Sequence, residues 1–175
     1  LIFASSGSVY GVKTEEKVTE ELSLVPISAY NKTKMVAERV LLSYSHLLNV
    51  HIIRPATICG VSPRMRFDLT VNLLTMQAVR DGKMTVFGGD QVRPNIHIQD
   101  IVRVYQHFLD QPTLAGGIYN AGFENLSVRA IAERIAERTG ASMDVSESND
   151  PRSYRLDSTK LLDTGFLPGK VVDDA

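Results

Sequence analysis

One cysteine, Cys59, and no tryptophan occur among the 175 residues. A lone thiol can neither close an internal disulfide nor assemble a cysteine-based zinc site, which accords with a reducing, cytoplasmic setting. Cys59 itself is expected as a small buried apolar residue. His46, His51, His97 and His107 are dispersed without metal-ligand spacing, so no metal site is expected. No apolar run approaches the roughly 20 residues that cross a bilayer, and no basic stretch followed by an apolar segment marks a secretory leader. Charge of one sign is missing as well, because 19 basic and 20 acidic residues leave a formal net charge of −1. Nucleic acid and anionic membranes are therefore not expected as partners, and any anionic ligand must be held by local groups. Also absent is a G-x-G-x-x-G or G-x-x-G-x-x-G phosphate cradle after a strand.

What is present suits one globular unit, with 43% hydrophobic and 22% charged residues. The chain opens on Leu1-Ile2-Phe3-Ala4 without an initiator methionine and stops at Val171-Val172-Asp173-Asp174-Ala175, which reads as the start of a further helix. Both ends are expected to be cut. Residues 1–5 read as a buried strand. Ser28 is a natural N-cap for a helix over 28–49, with Ala29, Met35, Val36, Val40, Leu47 and Leu48 as its apolar positions. A second strand over 50–53 is expected to end at Arg54-Pro55, since proline cannot continue a ladder. Strand, helix and strand make a βαβ crossover, hence a parallel α/β sheet. Helices follow over 68–81, 100–109, 127–140 and 158–164, with strands over 84–87, 95–98, 117–120 and 143–146.

Tyr30 and Lys34 are four residues apart on the first helix and share a face. A phenol titrates near ~10, and a neighbouring ammonium draws it toward the range where it works as a general acid or base. Ser6, at the end of the first strand, can hold a substrate alcohol or carbonyl oxygen in register with that phenol. The same spacing also occurs by chance on ordinary helices. The order of segments narrows the reading: Ser5-Ser6-Gly7-Ser8-Val9-Tyr10-Gly11 after a strand, Tyr30-Asn31-Lys32-Thr33-Lys34 opening a helix, Arg54-Pro55 closing a strand, then Arg93-Pro94-Asn95-Ile96-His97-Ile98-Gln99-Asp100.

That order resembles the extended short-chain dehydrogenase/reductases, the NAD-dependent epimerase/dehydratase family, over nearly the whole chain. The resemblance implies the C-terminal part of a Rossmann-like doubly wound α/β fold with a smaller substrate-binding subdomain. Residues 1–60 are then the catalytic end of the cofactor domain, and 61–175 are mainly the substrate subdomain with interleaved Rossmann elements. It implies Ser6, Tyr30 and Lys34 as the catalytic triad, with Tyr30 and Lys34 at the nicotinamide ribose and Pro55 and Ala56 beside the nicotinamide. It implies a nucleotide-diphosphate sugar as substrate and NAD or NADP as cofactor. Arg93, Arg152 and Asn72 are its candidates at the nucleotide or diphosphate; Thr57 stands where many relatives have asparagine. Gly7 and Ser8 occupy the places of the acidic pair of sugar dehydratases, so dehydration is disfavoured. The activities implied are an epimerase or, alternatively, a reductase/dehydrogenase; a non-catalytic cofactor-binding scaffold is a third reading. The missing cradle is expected upstream, leaving this chain inactive by itself. A homodimer through the Tyr30 helix is also implied. His97 is expected to be structural, because Ile96-His97-Ile98 alternates as a partly buried strand does, and the Val128, Ile131, Ala132, Ile135 stripe is expected to be core.

Overall fold

The computed structural model describes residues 1–148 and 153–175. In chain order the elements are β1 (Ile2–Ala4), α1 (Ala29–Ser43), β2 (His51–Pro55), β3 (Thr57–Cys59), α2 (Thr70–Asp81), β4 (Lys83–Phe87), β5 (Val92–His97), α3 (Ile98–Asp110), β6 (Gly117–Ala121), β7 (Glu124–Ser127), α4 (Val128–Thr139), β8 (Ser142–Ser146) and α5 (Thr159–Leu162). β1, β2 and β6 form a parallel sheet in the order β1-β2-β6, with Ile2 opposite His51 and His51 opposite Gly117. Val50, Ile52 and Ile53 are almost fully buried, as a parallel strand covered on both faces requires. A second sheet, β3-β5-β7, pairs β3 with β5 in parallel and β5 with β7 antiparallel; β4 and β8 form a parallel pair of their own.

α2, α3 and α4 bury the faces their periodicity dictates. Ile101, Val104 and Phe108 of α3 pack into the cluster around Val9, Tyr10 and Ile53. Val71, Leu74 and Ala78 of α2 meet Val128, Ile131 and Ala132 of α4 in a second cluster. Each large side chain so buried contributes about 1.5–3 kcal/mol. Ser28 and Ser127 cap α1 and α4, each accepting at 3.1 Å from the N–H three residues on. Gly82 and Gly140, at φ of 65° and 73°, close α2 and α4 in the left-handed conformation that glycine adopts most easily.

Several expectations are corrected. α1 stops at Ser43 rather than 49, because the chain tightens into three-residue turns, Tyr44 N–H to Leu41 O and Leu47 N–H to Tyr44 O, while the Ser43 hydroxyl donates to Val40 O. Its apolar positions are not its buried ones: Val36, Val40 and Leu47 are exposed, whereas Asn31 and Glu38 are buried. The reason is a polar network beneath the helix, described below. β2 runs through Pro55 instead of ending before it. β1 has already ended opposite Ile53, so the missing Pro55 N–H costs no ladder bond on that side, and Pro55 pairs with Ala121 on the other. β3 and β7 carry too few alternating residues to announce themselves, and residues 172–174 form a 3₁₀ turn.

Candidate active site

The site is assembled at the carboxyl ends of β1 and β2, the usual place for ligands in an open parallel sheet. β1 ends into Ser5 and Ser6, and a 3₁₀ turn, Gly7–Tyr10, follows with Ser6 as its extended N-cap. Ser6 Oγ accepts from the Ser8 N–H at 3.2 Å and lies 2.7 Å from Ser8 Oγ. The first turns of α1 face this loop. The Lys34 ammonium donates to the Ala4 carbonyl at 2.7 Å and lies 5.7 Å from the centre of the Tyr30 ring and 5.0 Å from that of Phe3. That bond ties the helix to the end of β1, and the rings offer their negative faces to the cation. Tyr30 is 54% exposed at the cleft, open to a ligand.

One turn beyond Lys34, Glu38 is buried and receives Arg54 Nε and Nη2 at 3.0 and 2.6 Å. Ser5 Oγ also donates to Glu38. Arg54 Nη1 donates to the Tyr10 hydroxyl at 2.7 Å, and Tyr10 donates to Asn120 Oδ1 at 2.8 Å. Burial pushes the Tyr10 phenol up to about 12, so it stays a neutral donor. Burial disfavours the Arg54 charge, but Glu38 and Tyr10 outweigh that and hold the guanidinium ionised. One network thus joins α1, the end of β1, β2 and β6. Sequence reasoning missed Glu38, although its place on the Tyr30 and Lys34 face, combined with an arginine before Pro55, was a legible signal.

Ser6, Tyr30, Lys34, Pro55, Ala56, Thr57 and Asn72 all line a single cleft of about 780 Å³. Asn72 is buried there, accepting from Gly60 N–H at 3.1 Å and donating to the Arg66 carbonyl at 3.0 Å, so its amide braces the loop between β3 and α2. Arg93 lies half-buried on β5 and is not among the described residues lining the cleft. Arg152 lies outside the described residues. Two lining cations were missed: Arg64 and Arg66 stand exposed in the loop after Gly60, Arg66 paired with Asp68 at 2.7 Å. An S-P-R-M-R-F loop gives no periodic signal and declares itself only by where it lands. His97 caps α3, its Nδ1 accepting from Gln99 N–H at 3.2 Å, while Asp100 receives the Gly169 and Lys170 N–H groups. Cys59 is buried, and that burial pushes its thiol up to about 12, far from a reactive thiolate. Among the described residues no group of histidine, cysteine or carboxylate side chains could hold a metal ion, and no helix is long and apolar enough to cross a membrane.

Known proteins share much of this sequence and its fold. An uncharacterized UDP-glucose epimerase, YtcB, of Bacillus subtilis is 33% identical over 141 residues, covering 79% of this chain and 44% of its own length. A UDP-glucose 4-epimerase of Lactobacillus helveticus is 26% identical over 189 residues, covering 91% and 56%. The crystal structure of UDP-glucuronic acid 4-epimerase from Bacillus cereus, in complex with UDP-glucuronic acid and NAD, matches with a TM-score of 0.85 and 28% identity over 99% of this chain and 57% of that one. The chain spans about half the length of the curated relatives it matches. The profile of the NAD dependent epimerase/dehydratase family covers residues 1–122, well over half of the sequence, and the chain belongs to that family.

Proposed function

We propose that the protein carrying this chain is an NAD-dependent nucleotide-sugar 4-epimerase, with residues 1–60 completing the cofactor domain and 61–175 forming mainly the sugar-nucleotide side. The observation that carries this reading is the convergence of Ser6, Tyr30 and Lys34 on one cleft at the carboxyl ends of parallel strands. The residues fit the nicotinamide half of a dinucleotide. Lys34 and Tyr30 offer a cation and a hydroxyl for a ribose, and Pro55 and Ala56 line the adjoining wall at the end of β2. Bound there, NAD would accept a hydride from a sugar carbon and return one to it. Tyr30 takes the proton of the sugar hydroxyl and later gives it back, Lys34 ties the start of α1 to the end of β1, and Ser6 holds the same oxygen. Such a hydride, if returned to the opposite face, would invert the carbon.

Dehydration needs an acid and base beside the catalytic hydroxyl, and Gly7 and Ser8 supply neither a carboxylate nor a cation there, a side chain at Gly7 also being tightly crowded. A Cβ there would stand 3.2 Å from the Pro55 carbonyl and 3.4 Å from the Tyr154 hydroxyl. For the diphosphate, Arg64 and Arg66 are cations already in the cleft; Arg93 and Arg152 rest on the family resemblance. Directed guanidinium donors suit such a dianion.

The alternative of the same fold is a reductase, and the fate of the cofactor separates the two. The full-length epimerase retains NAD through purification and interconverts sugars without net consumption. A protein that instead consumes NADPH in proportion to product is a reductase, and one that turns over no UDP-, GDP-, CDP- or dTDP-sugar abolishes both readings.

A homodimer through α1 belongs to the same proposal. Val36, Val40, Tyr44 and Leu47 expose an apolar stripe on the helix that bears Tyr30 and the turn after it, the kind of patch that marks an interaction surface. Val40→Asp in the full-length protein is expected to halve the mass seen by light scattering; a mass unaffected by the substitution would remove α1 from the interface.

A further inference from the structure

Ser8 and Asn31 have no part in the mechanism above, yet both line the cleft and are bonded to its reacting end. Ser8 Oγ donates to Asn31 Oδ1 at 2.8 Å. A hydroxyl has one proton, and an amide oxygen has none to give. The Ser8 proton is therefore committed to Asn31, and in the 2.7 Å contact between the two serines the donor is Ser6. Ser6 Oγ also accepts the Ser8 N–H at 3.2 Å. Asn31 is buried, and its own N–H is tied to the Ser28 cap, so the end of this chain of bonds is fixed by the start of α1.

We infer that Ser8 and Asn31 are positioning residues that set the direction of the Ser6 hydroxyl, turning its proton away from the cleft and leaving it an acceptor toward the sugar. An alcohol can donate to such an oxygen. A ketone cannot, and to donate to one Ser6 must give up its bond to Ser8. The relay therefore biases the site toward the alcohol and against the ketone, so that the oxidised sugar is held chiefly by Tyr30 and is disposed to be reduced again. This rests on the reading of the cleft as a nucleotide-sugar site with Ser6 at the reacting oxygen.

The test is a comparison of affinities rather than of rates. The probes are UDP-6-deoxyglucose and UDP-4-keto-6-deoxyglucose, which differ only in the oxidation state of one carbon. They are titrated by calorimetry into the NAD-loaded full-length protein carrying Tyr30→Phe, which slows turnover about a hundredfold or more. Ser8→Ala is expected to shift the ratio of the two dissociation constants toward the ketone by about tenfold, the size of one net hydrogen bond. Ser8→Thr, which keeps the hydroxyl, leaves the ratio where it was. Adding Asn31→Ala to Ser8→Ala changes nothing further, because Asn31 acts only through Ser8. A ratio unmoved by Ser8→Ala, an equal shift in Ser8→Thr, or additive effects of the two alanines overturns the relay while leaving the nucleotide-sugar reading intact. Binding of neither probe removes both.

Discussion

Tyr30→Phe in the full-length protein is expected to lower kcat by about a hundredfold or more, the ordinary size of a general acid/base contribution. The phenol lines the cleft from α1, and the Lys34 ammonium on the same helix stands 5.7 Å from the centre of its ring. Tyr30 is 54% exposed and makes no hydrogen bond through its hydroxyl within the described residues, so removing that oxygen opens no cavity and strands no buried partner. Folding should be spared, which circular dichroism and the thermal midpoint can verify beside the steady-state kinetics. A variant as fast as the parent would take Tyr30 out of the mechanism. Loss of rate together with loss of structure would instead place the residue in the scaffold.

The second large effect lies one layer down. Glu38→Ala leaves the Arg54 guanidinium charged, 2% exposed and without its carboxylate. Removing one partner of a buried pair costs about 3–5 kcal/mol, because the remaining charge has neither water nor counterion. Urea denaturation of the full-length protein should show a loss of that order, and replacing Glu38 and Arg54 together by methionine should cost less than Glu38→Ala alone. A loss below about 1 kcal/mol, the range of exposed ion pairs, would contradict this account of the network. The effect matters for function because Glu38 lies one turn beyond Lys34, Ser5 precedes Ser6, and Arg54 precedes Pro55 and Ala56. Ser5, Glu38 and Arg54 are joined directly, so the network fixes the frame from which the cleft residues project.

Much of this was readable before any coordinates. Two apolar runs flanking a capped helix specify a parallel pair, and β1 and β2 do pair in parallel, although β1 is half-buried with Ala4 exposed where the sequence suggested a buried strand. The motif residues Ser6, Tyr30 and Lys34 were legible because each sits at an element end or on a helix with fixed periodicity. Other features were illegible for physical reasons. The exposed apolar stripe and buried acid of α1 invert the usual inside-outside rule, since Arg54 stands beneath the helix and pairs there with Glu38. Arg64 and Arg66 sit in a loop, where position follows from tertiary structure alone. Asn31 follows Tyr30 in the sequence as an ordinary helical residue, and only the approach of the Ser8 hydroxyl shows what its side chain does.

The most direct measurement is a crystal structure of the full-length Tyr30→Phe protein with NAD and a nucleotide sugar bound. The reacting sugar oxygen is expected within hydrogen-bond reach, about 2.6–3.2 Å, of Ser6 Oγ. It should face the edge of the substituted ring from which the hydroxyl was removed, with the nicotinamide ribose against Lys34. A sugar seated elsewhere, or a cofactor that leaves Lys34 and Pro55 uncovered, would contradict the assignment of this cleft as the place where the sugar is oxidised and reduced.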